Sequence, residues 1–177
     1  MKLDDFRKSP LYGQWLEGGS VGARPANIKE PEQLQEPVKQ IQVGEVIELT
    51  LPFCPSVNHY LNHGRHGTYI TKQGRAFIRK VVAYIKMCQL SGRIGSALVD
   101  VAVVLHPPST QVHDADNYNK VSFDALTKAG FWDDDGQIKR FAVYMGPIVK
   151  HGRIDLAVRL HQPIDTKTTA ADLLKRI

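Results

Sequence analysis

Carboxylates gather in one short part of the chain, residues 114–135. The stretch HDADNYNK (113–120) places Asp114 and Asp116 one residue apart and Lys120 four residues after the second aspartate. Further on, the sequence DDDGQ carries three consecutive acids that end at Asp135. Six of the 18 acidic residues therefore lie in this interval, although the net charge is +5. Because neighbouring carboxylates repel one another, we expect a metal ion or a basic side chain among them.

This pattern suits metal-assisted hydrolysis of a phosphodiester. Mg²⁺ prefers oxygen ligands and keeps several waters, so two or three carboxylates suffice to hold it. We predict that Asp114 and Asp116 are metal ligands and that Asp135 or Asp134 supplies the third carboxylate. A turn after Gly130 would return this third carboxylate to the first two. Lys120 would stabilise the transition state or orient the nucleophile, which completes a catalytic set of four residues.

Each part of the pattern also has a purely structural interpretation. Asp and Asn before a helix cap its first turn, Lys120 and Asp124 could form a weak surface pair, and DDDG is typical of a solvated turn. A D-x-D sequence alone is a weak signal. The joint arrangement favours catalysis, because capping does not require the third acidic cluster.

Other chemistries lack their patterns. No GxxxxGK[ST] or GxGxxG loop is present, so we expect no nucleotide cofactor. Cys54 ends a strand and Cys88 lies on the apolar face of a helix, so neither is expected to be a nucleophile. The histidines at 59, 63 and 66 have no cysteine partners, which favours contact with phosphate or solvent over zinc.

The basic residues are concentrated in a different part of the chain. Residues 49–96 contain no acidic residue and seven lysines and arginines. A basic surface beside an acidic cluster suits a polyanion that meets a metal ion. A solubilising surface is the alternative.

Periodicity predicts the elements that position these side chains. VIELTLPF (47–53) predicts a strand, followed by a polar loop with room for a short hairpin. Thr71 predicts the N-cap of a helix that ends near residue 90, and 96–108 predicts a buried strand. A helix over 116–130 starts at the acidic pair and stops at Gly130. QIKRFAVYMG and GRIDLAVRL predict two strands joined by a hairpin at KHG.

This order of elements predicts an α+β domain in which helices pack on a mixed sheet. We place that domain at 46–162, after an N-terminal extension (1–45) and before a tail (163–177) with a short helix. No run of about 18 apolar residues is present, so no membrane span is expected. The first 15 residues lack the apolar segment of a secretory signal, and two isolated cysteines fit a reducing cytoplasm.

The stretch DADNYNKVSFDALTKAGFWDDDGQI resembles the signature of the RusA family of Holliday junction resolvases, small homodimeric endonucleases of bacteria and prophages. LPFCPSVNHYLN resembles the family's first strand and the loop after it, and GRIDLAVRL resembles its last strand. The resemblance covers about residues 46–161. By position it implies that Asp114, Asp116 and Asp135 are the family carboxylates and Lys120 the catalytic lysine. Asp133 departs from the family pattern, in which that position is often apolar.

The resemblance further implies paired symmetric nicks in four-way DNA junctions, made by a homodimer with Mg²⁺ or Mn²⁺ in recombination and repair. DNA would lie on the basic interval, where the best candidates for contact are Asn58, Arg65, Lys72, Arg75 and Arg79. Two alternatives stay open: a junction-binding protein that does not cut, and a metal-dependent phosphodiesterase that acts on other branched DNA.

Overall fold

The structure is a computed structural model that describes residues 39–65, 67–111 and 113–174. Residues 1–38 of the predicted extension, His66, Val112 and the last three residues lie outside this part. The elements along the described chain are β1 Val46–Pro52, α1 Val57–Tyr60, β2 Leu61–Gly64, β3 Gly67–Ile70, α2 Lys72–Met87, β4 Val99–His106, α3 Asp116–Lys128, β5 Ile138–Met145, β6 Arg153–Leu160 and α4 Ala170–Leu174. A 3-10 turn, Asp135–Gln137, precedes β5.

The main sheet has the strand order β1-β6-β4-β5. β6 runs antiparallel to both of its neighbours, whereas β4 and β5 are parallel. α3 connects these two parallel strands, so the chain returns along α3 before β5 begins. The predicted α+β class with a mixed sheet is confirmed, as is the short hairpin, which β2 and β3 form separately.

The predicted hairpin between the last two strands is wrong. β5 pairs with β4 at the edge of the sheet, and the connection crosses the end of β4 so that β6 lies between β1 and β4. This crossing is close: the Gly146 N–H donates to the Leu105 carbonyl at 2.8 Å. A Cβ at Gly146 would lie 2.6 Å from the His106 ring. β6 carries the buried residues Ile154, Leu156 and Val158. Its central position gives these residues a neighbouring strand on each side.

The helices cover one face of this sheet. Thr71 begins α2 as predicted, since its hydroxyl accepts a hydrogen bond from the Gly74 N–H at 3.1 Å. The predicted apolar face of α2 packs into the core, where Phe77, Val81, Tyr84 and Ile85 are buried. α3 packs beside it, and the alternate residues Val101, Val103 and Leu105 of β4 are buried in the same core.

The opposite face of the sheet, which we call the open face, carries the remaining strand positions. Register places Arg140 and Arg159 on either side of Asp100, and Ala142 and Ala157 on either side of Ala102. Small side chains therefore form the middle of this face. Further toward the ends of β4 and β1 lie Val104, His106, Glu48, Thr50 and Asp155.

Candidate active site at the edge of the sheet

Asp114 and Asp116 lie where the chain leaves β4 and enters α3. They flank the N-cap residue Ala115, which has no capping side chain. Asp114 supplies the missing acceptors: its Oδ1 accepts from the Asp116 N–H at 3.3 Å and its Oδ2 from the Asn117 Nδ2 at 3.2 Å. Both carboxylates are exposed beside the positive end of the helix dipole, which attracts negative charge.

Three rings fasten this loop to the end of β1. Phe53, His113 and Tyr118 pack together with centroid separations of 4.8–5.6 Å. The His113 Nδ1 and the Tyr118 hydroxyl are 2.7 Å apart. His113 is therefore an anchor for the residue next to Asp114. The sequence pattern did not predict this cluster; the aromatic residue at 118, two positions after Asp116, is the signal that points to it.

Buried polar contacts continue this attachment along α3. The Ser122 hydroxyl donates to the Tyr118 carbonyl at 2.9 Å, and the Cys54 thiol donates to the same oxygen at 3.4 Å. Burial raises the pKa of Cys54 to about 12, so it stays a thiol at neutral pH. Cys54 and Cys88 are not joined in a disulfide. Neither the position nor the ionisation of Cys54 suits a nucleophile, as the sequence predicted.

Lys120 stands one helical turn beyond Asp116 and is exposed. The next residue on that side, Asp124, is occupied elsewhere: it pairs with Lys128 at 2.5 Å and accepts a hydrogen bond from the Tyr60 hydroxyl. Burial and this hydrogen bond raise the pKa of Tyr60. Asp124 therefore supports the packing of α1 on α3, and Lys120 remains available to a ligand near Asp116.

Asp135 lies at the opposite end of the strands from Asp116. It precedes β5, whose first residue, Ile138, pairs with Val99 at the start of β4, whereas Asp116 follows the end of β4. The 13-residue helix α3, about 20 Å long, lies between the two positions. The expectation that the turn returns Asp135 to Asp114 is wrong for a single chain. Within the described ranges, no group of three His, Cys, Asp or Glu residues could hold a metal ion.

Asp134 has a structural role in the 3-10 turn before β5. Its side chain accepts from the Gly136 N–H at 2.7 Å, and its own N–H donates to the Gln137 Oε1 at 2.7 Å, which forms a capping box. The buried Gln137 also donates to the carbonyls of Gly95 and Ala97. These bonds fix the turn and leave Asp135 exposed beside it.

The predicted DNA-binding residues lie on the helical side of the molecule. Lys72, Arg75 and Arg79 follow one another along one side of α2, and all three are exposed. Arg65 lies at the tip of the β2–β3 hairpin and Asn58 on α1, both also exposed. α1 packs on α3, which carries Asp116 and Lys120. The start of α2 contacts α1 as well, since the Thr71 hydroxyl donates to the His59 carbonyl at 2.6 Å.

Residues 51–169 match the family described as "Endodeoxyribonuclease RusA". The chain belongs to the RusA family. The match begins at the end of β1 and spans the other three strands of the main sheet, both long helices and the two segments that carry Asp114 and Asp135.

Curated RusA relatives agree with this assignment. The chain is 42% identical over 111 residues to the crossover junction endodeoxyribonuclease of Enterobacteria phage 82, which covers 62% of this chain and 91% of that protein. The Shigella sonnei and Escherichia coli K12 enzymes of the same name are 41% and 40% identical over the same shares of each chain. No helix in the described residues is long and apolar enough to cross a membrane.

Proposed function

We propose that this chain is a divalent-metal-dependent endonuclease that cuts four-way DNA junctions in recombination and repair. It acts as a homodimer that nicks two opposed strands. The observation that carries the proposal is the RusA family match together with the exposed Asp114, Asp116 and Lys120 at one edge of the sheet. Paired nicks suit two-fold symmetry, since each protomer presents one such edge.

The acidic pair fits Mg²⁺ or Mn²⁺ as a partial ligand set. Asp114 and Asp116 offer oxygen ligands on a loop and a helix start, and neither forms an ion pair with another described residue. Two carboxylates suit a hard cation that keeps several waters. Such an ion, when bound, supplies a Lewis acid for the scissile phosphate. The ring cluster of Phe53, His113 and Tyr118 holds the pair in place for it.

Lys120 has a separate task in this proposal. Residues four apart on a helix are neighbours, so its ammonium reaches a phosphate that lies against Asp116. There it would balance the negative charge that develops on the phosphoryl oxygens as the bond to the leaving oxygen breaks. Its freedom from the Asp124–Lys128 pair leaves the side chain able to do so.

Asp135 joins this site only if it comes from a second copy. Within one chain the length of α3 separates it from Asp116, and the capping box around Asp134 fixes the turn in place. In a dimer that places the start of β5 of one copy beside the end of β4 of the other, Asp135 would reach Asp114 and Asp116. This arrangement makes each active site a product of dimerisation.

DNA affinity would come mainly from phosphate contacts along α2 and the β2–β3 hairpin. Lys72, Arg75 and Arg79 present their charges on one side of α2, with Arg65 and Asn58 on the neighbouring elements. Such contacts position the backbone and carry no base sequence information. Junction preference would then rest on shape, and any preferred cutting sequence would be a separate property.

The test is cleavage of a labelled four-way junction, a linear duplex, a flap and a single strand, each with Mg²⁺ and with EDTA. Paired nicks confined to the junction and dependent on metal are expected. Junction binding without any nick would favour a structural DNA-binding protein. Equal cleavage of every branched substrate would favour a general phosphodiesterase, and cleavage that persists in EDTA would exclude the metal site.

A further inference from the structure

We propose that Tyr69, on the β2–β3 hairpin, stacks on an unstacked base at the exchange point of a four-way junction. The inference rests on the proposed function, because it takes the junction as the ligand. It adds a residue that distinguishes a junction from a linear duplex. Three features of the hairpin support it: a ring that is held in place, open space beside that ring, and a basic surface around it.

The two faces of the hairpin differ. Leu61 pairs with Ile70, and both residues pack against the hydrophobic core, so their face of the hairpin points inward. Side chains on a strand alternate between its two faces. The outer face is therefore formed by the other two cross-strand pairs of the same parity: Asn62, Tyr69, Gly64 and Gly67. Because two of these four residues are glycines, the strands place only an amide and a phenol ring on the outer face.

The Tyr69 ring is held in place from two sides. Tyr69 lies directly opposite Asn62, whose Nδ2 donates to the Tyr69 hydroxyl at 3.0 Å. The ring also lies across Gly64, where a Cβ would be 3.1 Å from the Tyr69 Cε1. The amide and the glycine together fix the orientation of the ring. A ring that is already fixed loses less conformational entropy on binding than a mobile one.

The ring nevertheless stays available to a ligand. Tyr69 exposes 51% of its surface. A Cβ at Gly67, the neighbouring position on the outer face, would meet no described atom within 4 Å, so the space beside the ring is open. A nucleic-acid base is a flat partner of suitable size for an exposed aromatic ring.

The charge around the ring favours DNA as the source of that base. Residues 49–96 contain no acidic residue, so no carboxylate of this interval repels a phosphate. Arg65 is exposed at the tip of the hairpin. The Arg75 guanidinium donates to the carbonyl of Ile70, the residue after Tyr69, which brings the basic side of α2 beside the hairpin. Cations combined with an aromatic ring are typical of surfaces that bind unpaired bases.

Hydrogen bonds connect the hairpin to the helix that carries the acidic pair. The Thr71 N–H donates to the Tyr60 carbonyl at 2.9 Å, and the Thr71 hydroxyl donates to the His59 carbonyl at 2.6 Å. Both acceptors belong to α1, and the Tyr60 hydroxyl in turn donates to Asp124 on α3. A base on the Tyr69 ring would therefore have a defined position relative to the candidate active site.

Stacking on a base requires that the base has left its neighbour in the duplex. Inside a linear duplex the adjacent pairs cover both faces of every base. At the exchange point the stack is interrupted, so unstacking costs least there. An aromatic ring therefore adds affinity for the junction and none for the interior of a duplex, whereas phosphate contacts are common to both.

The first test compares binding of a four-way junction and of a linear duplex in EDTA, which prevents metal-dependent cutting. Tyr69→Leu removes the ring but keeps an apolar side chain. It should weaken junction binding at least about fivefold, the lower end of the effect of losing one base–aromatic stack, and leave duplex binding unchanged. Tyr69→Phe retains the ring and should bind like the wild type. Thr68→Leu puts leucine on the other face of β3 and is the matched control.

The second test removes the base instead of the ring. The junctions carry an abasic nucleotide in two opposed strands, at each position beside the exchange point in turn. At the position that Tyr69 contacts, wild type should lose at least about fivefold in affinity, which requires no substitution in the protein. Tyr69→Leu should bind that junction as tightly as wild type does, because ring and base contribute one shared interaction. Circular dichroism verifies that each variant is folded.

Three results would overturn the inference and leave the ring as a cover for Gly64: no loss in Tyr69→Leu, an equal loss on junction and duplex, or the same loss on every abasic junction. Cleavage of the intact junction by wild type with Mg²⁺ reports separately on the proposed function. A wild type that cuts the junction while Tyr69→Leu binds it equally well would overturn the role of Tyr69 alone. A wild type that binds the junction no better than the duplex would overturn the proposed function as well.

Discussion

Asp116 and Asp135 lie at opposite ends of the strands of one sheet. Asp116 follows the end of β4, whereas Asp135 precedes the start of β5, the parallel neighbour of β4. The crossover helix α3, about 20 Å long, lies between them, since a parallel pair of strands requires the chain to return along the full length of the strands. A carboxylate set that looks continuous in sequence is therefore divided in space. The division makes dimerisation a requirement of the proposed chemistry.

Arg75 and Arg79 should dominate the salt dependence of DNA binding. Replacing both with alanine should weaken junction binding and reduce the slope of log K against log salt by about 2, because each phosphate contact contributes close to one unit. Fluorescence anisotropy at several salt concentrations measures this. Lys167→Ala, an exposed cation in the C-terminal segment, is the control and should leave the slope unchanged. An unaltered slope in the double variant would remove α2 from the DNA surface.

Gly74→Ala should destabilise the fold although alanine favours helices. A Cβ at this position would lie 2.6 Å from the Tyr60 ring and 2.7 Å from Ile70. Tyr60 is buried and bound to Asp124, so it has little freedom to move. We expect a net loss of about 1–2 kcal/mol in the free energy of unfolding, after a helix-propensity gain of up to about 1 kcal/mol.

Urea denaturation measures the effect of Gly74→Ala. Gln73→Ala, its exposed neighbour on the same helix, serves as the control and should change the free energy of unfolding by less than about 0.5 kcal/mol. Equal stability of Gly74→Ala and wild type would show that α1 can move away from α2 without cost.

Asp100 should make stability depend on acid pH. Burial opposes its ionisation, but hydrogen bonds and charges from Arg140 and His161 outweigh burial and lower the pKa of Asp100. Its stabilising contribution is therefore complete above the unfolded pKa of about 4 and is lost as the pH falls through the lower folded value.

Asp100→Asn removes this contribution. The variant should lose about 2 kcal/mol of unfolding free energy near neutral pH, and its difference from wild type should shrink below about pH 4. Thermal or urea denaturation between pH 2 and pH 7 measures the difference. Asp133→Asn, at an exposed position, provides the comparison. A difference that stays constant over this range would mean that the ionisation of Asp100 does not support the fold.

Local patterns predicted most of the elements. Thr71 as a cap, the apolar side of α2 and the start of α3 at Asp116 all depend on residues close in sequence, and all are confirmed. The predicted hairpin between β5 and β6 is wrong. Strand pairing depends on which strand must have a neighbouring strand on each side to bury its apolar residues. Ile154, Leu156 and Val158 occupy the centre of the sheet, and no local signal records that.

The candidate site divides in the same way. Residue types and spacing identified Asp114, Asp116 and Lys120, which share one loop and one helix. The location of Asp135 depended on the direction of β5 relative to β4, which the alternation of side chains leaves open. His113 could not be assigned from its type, because its contact with Tyr118 forms only when the loop folds against Phe53.

The shared active site is tested most directly by heterodimers, obtained by co-expressing two differently tagged chains and purifying through both tags. One heterodimer pairs Asp116→Asn with Asp135→Asn. If Asp135 acts in the partner's site, one of its two sites is intact, although neither variant cuts as a homodimer. The matched heterodimer pairs a wild-type chain with a chain that carries both substitutions, which leaves every shared site with one defect.

Nicking of a labelled four-way junction with Mg²⁺ is the measurement. We expect the first heterodimer to nick one strand at up to about half the wild-type amplitude, since one of two equivalent sites remains. We expect the second heterodimer to be inactive. The reverse result, an inactive first heterodimer and an active second one, would place each site within a single chain and contradict the account. Full activity of the Asp135→Asn homodimer would contradict it as well.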